Sequence, residues 1–179
     1  MLMRVTVPTT MVTTVSKLLI LSNGKMAIPS AWVGGYLPPE AQWEYAARSE
    51  GLDNLYPWEN EPAPDCDHGG YAWCDGFDGS VPFDACELDE GWTFQNLCDM
   101  SGNLWEWMAD DWHDDYMDAP VTEAPWITTT QKELAPIRGT GMTTESTDAR
   151  INVASRQGLP IQSAYFDLGF RCARDHQSN

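Results

Sequence analysis

Apolar and polar positions alternate most clearly after Ser101-Gly102-Asn103, where Leu104, Glu106 and Met108 interleave with Trp105, Trp107 and Ala109. Turn residues followed by a period-two pattern predict a strand entered through a tight turn. One side of that strand is apolar except for Glu106. A carboxylate among large apolar side chains is costly without a counter-charge, and no lysine or arginine stands nearby in the sequence. Asp99 before the turn and Glu106 after it are therefore expected to converge on a cation. Upstream, Pro38-Pro39 leads into Glu40-Ala41-Gln42-Trp43-Glu44-Tyr45-Ala46-Ala47-Arg48. Proline at the start, an acid in the first turn and a base in the last predict a helix that stops near Gly51. Trp43 and Ala47 share a face, with Ala46 beside them, and belong in the core.

Elsewhere the pattern is weaker. Scattered β-branched residues from Val5 to Val15, then Leu18 to Leu21 ending at Ser22-Asn23-Gly24, predict a strand followed by a short helix or turn. From Tyr56 to Phe94 the chain is rich in Gly, Pro and Asp, which predicts irregular loops pinned by aromatic residues, cysteines or metal. Asp110 to Thr130 reads as another loop. Ile137 to Gly141, Ala149 to Arg156 and Leu168 to Arg174 read as short closing strands separated by glycines. The expected organisation is a poorly defined segment, 1–33, followed by one domain, 34–175.

Composition narrows the function. The chain has 179 residues, 42% of them hydrophobic and nine of them Trp, enough for the core of one globular domain. Ten basic against 27 acidic residues give 10 − 27 = −17, which argues against nucleic acid or an anionic membrane as partner. No run approaches the length needed for membrane insertion. Between Ser49 and Gln131 there is no Lys or Arg, while acidic residues recur from Glu50 to Glu123. Most of these carboxylates form a solvated face; a block without internal cations still repels itself, and a bound hard metal would stabilise it.

Of the five cysteines, Cys66, Cys74, Cys86 and Cys98 lie in the acidic block at spacings that match no zinc pattern. Two disulfides are expected, Cys66 with Cys74 and Cys86 with Cys98, leaving Cys172 over. That favours an extracytoplasmic or secreted protein, although Lys17 to Leu21 is too short for the apolar region of a signal peptide.

Five stretches, in order, resemble the formylglycine-generating enzyme, or sulfatase-modifying factor, family. They are Leu37-Pro38-Pro39-Glu40-Ala41-Gln42-Trp43-Glu44-Tyr45-Ala46-Ala47-Arg48, Tyr56-Pro57-Trp58, Asp99 to Trp107, Arg138-Gly139 and Gly169-Phe170-Arg171-Cys172-Ala173. The resemblance implies an α+β, C-type-lectin-like fold with little regular secondary structure, held partly by calcium. By the same resemblance one calcium would be held by the Asp99 side chain, the carbonyls of Gly102 and Leu104, and the Glu106 carboxylate. A second would use Asp75 and the Phe77 carbonyl, with Asp67 and His68 as the best match for its remaining ligands. The family's structural bridges would fall at Cys172 with the segment before the helix, and at Ala47 with Val153, both apolar here.

The sequence departs from the family in three places. The family oxidises a substrate cysteine to formylglycine on copper held by two cysteines after an R-G-G-S motif. The equivalent segment, Arg138 to Arg150, contains no cysteine; the two places fall near Thr143 or Thr144 and on Asp148. Cu(I) needs soft thiolates, so copper is not expected. The family's long opening segment has no counterpart in the first 30-odd residues, and Pro39 stands where the family has a Thr helix cap. The favoured expectation is a non-catalytic, calcium-stabilised, lectin-like module that binds a peptide, protein or glycan through the loops after Arg138. The alternatives are a copper-dependent formylglycine-generating oxidase, a variable ligand-displaying C-type-lectin protein, and a fragment without function of its own.

Overall fold

The computed structural model describes residues 9–17, 35–74, 85–128, 133–145 and 149–175. Among the described residues one helix, α1 (Glu40–Ala47), accompanies five strands: β1 (Thr9–Lys17), β2 (Trp105–Trp107), β3 (Leu134–Arg138), β4 (Gln157–Pro160) and β5 (Leu168–Asp175), with a 3-10 turn at Asp89–Gly91. The strands form one mixed sheet in the order β1-β5-β2-β3-β4. β2 runs parallel to β5, with Glu106 opposite Gly169, and antiparallel to β3, with Glu106 opposite Arg138. Long irregular loops fill the space between these elements, as the Gly, Pro and Asp content predicts.

Every residue of β2 is buried. The alternation there does not separate core from solvent; it separates two cores. Trp105 and Trp107 pack with Ala135, Ile137, Leu168 and Phe170 on one face of the sheet. On the other face Trp43, Ala47, Leu97, Met100, Met108, Val153 and Ala173 form a second cluster, into which Glu106 projects. Ala47 and Val153, the positions where the family has a bridge, thus share one apolar cluster.

Helix α1 starts and stops where the sequence places it. Pro39 supplies no side-chain cap. The cap comes instead from Asp110, whose carboxylate accepts the Glu40 N–H at 2.7 Å. Acceptors at a helix start satisfy amide groups that have no partner within the helix, and this one arrives from 70 residues away. At the other end Gly51, at φ +78°, donates to the Tyr45 carbonyl and turns the chain out.

Of the strands expected at the two ends of the chain, one forms and one does not. The N-terminal segment contributes a strand that pairs with β5 from Thr9 opposite Asp175 to Lys17 opposite Gly169, with a register shift between Met11 and Val15. Ala149 to Arg156 is not a strand. Asn152 folds it into turns by donating to the Ala149 carbonyl and accepting from the Ala154 N–H, and the strand forms later, as β4. Leu18 to Leu21 lie outside the described residues.

Candidate functional site

Glu106, the middle residue of β2, is fully buried. Its counter-charge is Arg171 of β5, 65 residues away in sequence. Arg171 donates from Nε to Oε2 and from Nη2 to Oε1, each at 2.6 Å, and Trp43 Nε1 donates to Oε2 at 2.7 Å. Arg171 Nη2 also reaches the carbonyls of Cys98 and Asp99, at 3.2 and 2.9 Å. The absence of a nearby base in the sequence was therefore no guide. Parallel pairing of β2 with β5 brings the base in.

The turn before β2 is tightly built. Asp99, Gly102 and Asn103 all have positive φ, and a Cβ on Gly102 would approach Gly70 N to 2.9 Å. Gly102 donates to the Gly139 carbonyl and Asn103 to the Gly70 carbonyl. Asp99 Oδ2 accepts from the Cys86 N–H at 2.9 Å and from Asn103 Nδ2 at 3.5 Å. Gly102 and Leu104 are buried, and no described residue donates a hydrogen bond to either carbonyl. Two buried carbonyls without donors, beside a buried carboxylate, are the hard-oxygen donors a calcium ion takes. The donor types are those calcium takes, while both Glu106 oxygens also accept from Arg171 and Trp43.

Of the residues expected at a second site, Asp75 and Phe77 lie outside the described residues. Asp67 is exposed, and His68 is turned toward Asp65. Asp65 Oδ1 accepts from the backbone of Asp67 and His68 at 3.0 and 3.1 Å and meets His68 Nδ1 at 2.6 Å. The His68 ring packs on Trp58, centroids 4.8 Å apart. Partial burial pushes the Asp65 carboxyl up, but the bonds from His68 and Asp67 outweigh it and hold it below its ordinary value.

The cysteines pair as expected, Cys66 with Cys74 and Cys86 with Cys98. Cys172 is a free, partly buried thiol whose pKa burial raises. A Cβ on Gly35, in the segment before the helix, would sit 3.3 Å from Cys172 Cβ.

The segment where the family places copper offers oxygen donors. Thr143 Oγ1 donates to Asp167 Oδ2 at 2.5 Å, Thr140 Oγ1 donates to the Arg150 carbonyl, and Thr144 is buried. Met142 beside them is fully buried, and Asp148 lies outside the described residues. No cysteine occurs between Cys98 and Cys172. This donor set does not fit Cu(I).

One cluster is invisible in the sequence pattern. Arg138, on β3, is 1% exposed and donates to Glu40 Oε1 at 2.9 Å, Glu44 Oε2 at 2.8 Å, and the carbonyl of Val153 at 3.0 Å. Arg156 joins the same Glu40, and Tyr116 bridges, donating to Glu40 Oε1 and accepting from Arg138 Nη2. Burial alone would lower the Arg138 pKa, but Glu40 and Glu44 raise it instead. Desolvation raises the pKa of the Tyr116 hydroxyl, held between Glu40 and Arg138 although the residue is half exposed, so both stay protonated. The available signal was the scarcity of bases: in a chain with ten of them, Arg138, Arg156 and Arg171 follow the long base-free block.

The comparisons agree with this architecture. The family model of the sulfatase-modifying factor enzyme 1-like domain matches residues 29–176. The formylglycine-generating enzyme of Mus musculus is 34% identical over 155 residues, covering 81% of this chain and 40% of that protein. That of Thermomonospora curvata is 36% identical over 165 residues, covering 82% and 51%. The inactive C-alpha-formylglycine-generating enzyme 2 of Mus musculus is 33% identical over 151 residues, covering 80% and 44%. The chain spans about half the length of these relatives or less. Among solved structures, PvdO from Pseudomonas aeruginosa matches with a TM-score of 0.68 at 24% identity, covering 83% of this chain and 56% of that one. Treponema denticola variable protein 1 matches with a TM-score of 0.64 at 23% identity, covering 79% and 48%. Both likenesses bear on the fold, the α+β, C-type-lectin-like arrangement of a small mixed sheet wrapped in loops. With the family's motifs in register and its domain model matched from residue 29 to 176, the chain belongs to the sulfatase-modifying factor family.

Proposed function

We propose that this chain is a non-catalytic member of its family, a calcium-stabilised binding module that recognises a peptide, protein or glycan through the loops after Arg138. The observation that carries the reading is the donor set at the copper place: Thr143 is bonded to Asp167, Thr144 is buried, and cysteine is absent. O₂ chemistry on copper needs a first shell that the protein fixes, and hydroxyl oxygens do not hold Cu(I). The two disulfides suit an oxidising compartment, which agrees with an extracytoplasmic or secreted protein.

The test is turnover. Purified protein incubated with a peptide carrying the C-x-P-x-R motif, with and without added copper, should give no aldehyde product by mass spectrometry. Product above a copper-only control would replace this reading with the oxidase, which the 34% and 36% identities to formylglycine-generating enzymes favour.

Calcium is the second half of the proposal. Asp99, Gly102, Leu104 and Glu106 would hold one ion, and Asp75 and Phe77, with Asp67 and His68, the other. An ion that binds the folded chain alone stabilises it by about 2.7 kcal/mol at a hundred times its dissociation constant. Millimolar Ca²⁺ should raise the melting temperature beyond what NaCl of matched ionic strength achieves, and EDTA should reverse the gain. A melting temperature indifferent to both additions rejects the calcium sites and leaves the non-catalytic reading standing.

A further inference from the structure

We propose that Trp112, Tyr116, the Glu40 carboxylate and the His113 carbonyl form a guanidinium-binding cage, filled here by the chain's own Arg156, and that this cage latches the 110–128 loop to the segment leading into β4. The Arg156 guanidinium carbon lies 4.1 Å from the Trp112 ring centroid and 4.6 Å from that of Tyr116. Its Nε and Nη2 fork onto the two oxygens of Glu40 at 2.6 and 3.0 Å, and Nη1 donates to the His113 carbonyl at 2.7 Å. All three nitrogens have partners, and two aromatic rings lie within cation–π range. A carboxylate met by a fork, under flat rings, selects a planar guanidinium over a compact ammonium.

The walls stand independently of the occupant. Trp112 is backed by Gly158, where a Cβ would come within 2.5 Å of the ring, and its indole N–H donates to Asp114 Oδ1. The Tyr116 hydroxyl is fixed between Glu40 and Arg138. Glu40 itself is held by Arg138 and anchored on α1. Removing the Arg156 side chain therefore leaves a preformed recess, and the 13% exposure of that side chain marks its opening to solvent. The cage fixes a loop that displays Met117 and Val121 at 75% and 93% exposure, so the latch decides where those apolar side chains are presented.

The experiment uses the full chain with Arg156→Ala and Arg156→Lys, titrated with ethylguanidinium and, separately, ethylammonium at constant ionic strength. The Trp112 indole resonance and the melting temperature are the readouts. Arg156→Ala should bind ethylguanidinium saturably at millimolar concentration, with the resonance and melting temperature moving toward wild type, and should bind ethylammonium about tenfold more weakly or worse. Arg156→Lys should not recover wild-type behaviour, and wild type should not respond. A folded Arg156→Ala that shows no saturable response, or responds equally to both cations, overturns the proposal. Should Arg156→Ala not fold, Trp112→Ala serves instead: exchange of the Arg156 Nε–H should quicken about tenfold when one wall is removed, and unchanged exchange overturns the proposal equally.

Discussion

Glu106 and Arg171 meet with both side chains fully buried, so neither has water to fall back on. Removing one partner strands the other. Glu106→Ala or Arg171→Ala should each cost about 3–5 kcal/mol in urea denaturation. The double variant should cost much less than the sum, because no buried charge is then left alone. Additive losses would mean that the two groups are not coupled. Asp65 tests a milder pair. Its folded pKa is lowered, so its contribution is complete above the ordinary carboxylate value of 3.8 and is lost as pH falls through the lower folded value. Asp65→Asn should lie below wild type in stability at pH 7 and converge on it in strong acid. A constant gap across that range would refute the assignment.

At the scale of elements, the start of α1 depends on a carboxylate from a loop. Asp110→Ala removes the acceptor for the Glu40 and Trp126 N–H groups and should cost about 1 kcal/mol, as lost helix caps do. Asp110 also carries a pH signature of opposite sign to Asp65. Burial raises its folded pKa, so folding is favoured while it is protonated, and that advantage is lost as pH rises through the raised value. The stability of Asp110→Asn relative to wild type should therefore improve from pH 3 upward, which denaturation at a series of pH values checks. The bridges staple the irregular chain between α1 and β2. Each closes a loop for which chain entropy offers ~3 kcal/mol, and replacing Cys66 and Cys74 with serine should lower stability by about that much. Thiol counting on unreduced protein should find one group, Cys172; five would contradict the pairing.

For the whole molecule the net charge of −17 sets the expected response to salt. Self-repulsion falls with screening, so raising NaCl from about 10 to about 150 mM, where the Debye length shortens from about 30 to about 8 Å, should raise the melting temperature. A melting temperature that falls would mean that the internal pairs, not the acidic face, govern that response. Calcium at equal ionic strength separates screening from specific binding.

The local signals were legible in the residues themselves. Helix α1 follows from Pro39, the Trp43 and Ala47 face and Gly51; the turn into β2 follows from Ser101-Gly102-Asn103 and the alternation after it; and the two bridges join cysteines that are close in the chain. These depend on contacts within a dozen residues, which is the range over which periodicity and turn chemistry act. The partners of Glu106, Glu40 and Asp110 were not legible. Arg171 is 65 residues from Glu106, Arg138 and Arg156 are 98 and 116 from Glu40, and Asp110 caps a helix 70 residues earlier. A buried charge states that a counter-charge must exist but carries no address for it. The parallel pairing of β2 with β5 and the antiparallel pairing of β2 with β3 supplied the addresses, since adjacent strands bring distant residues within hydrogen-bond reach. Ala149 to Arg156 failed for the converse reason: its apolar content resembled a strand, yet Asn152 took the Ala149 carbonyl and the Ala154 N–H locally, while the Leu55 carbonyl and the Arg138 side chain took the backbone of Val153.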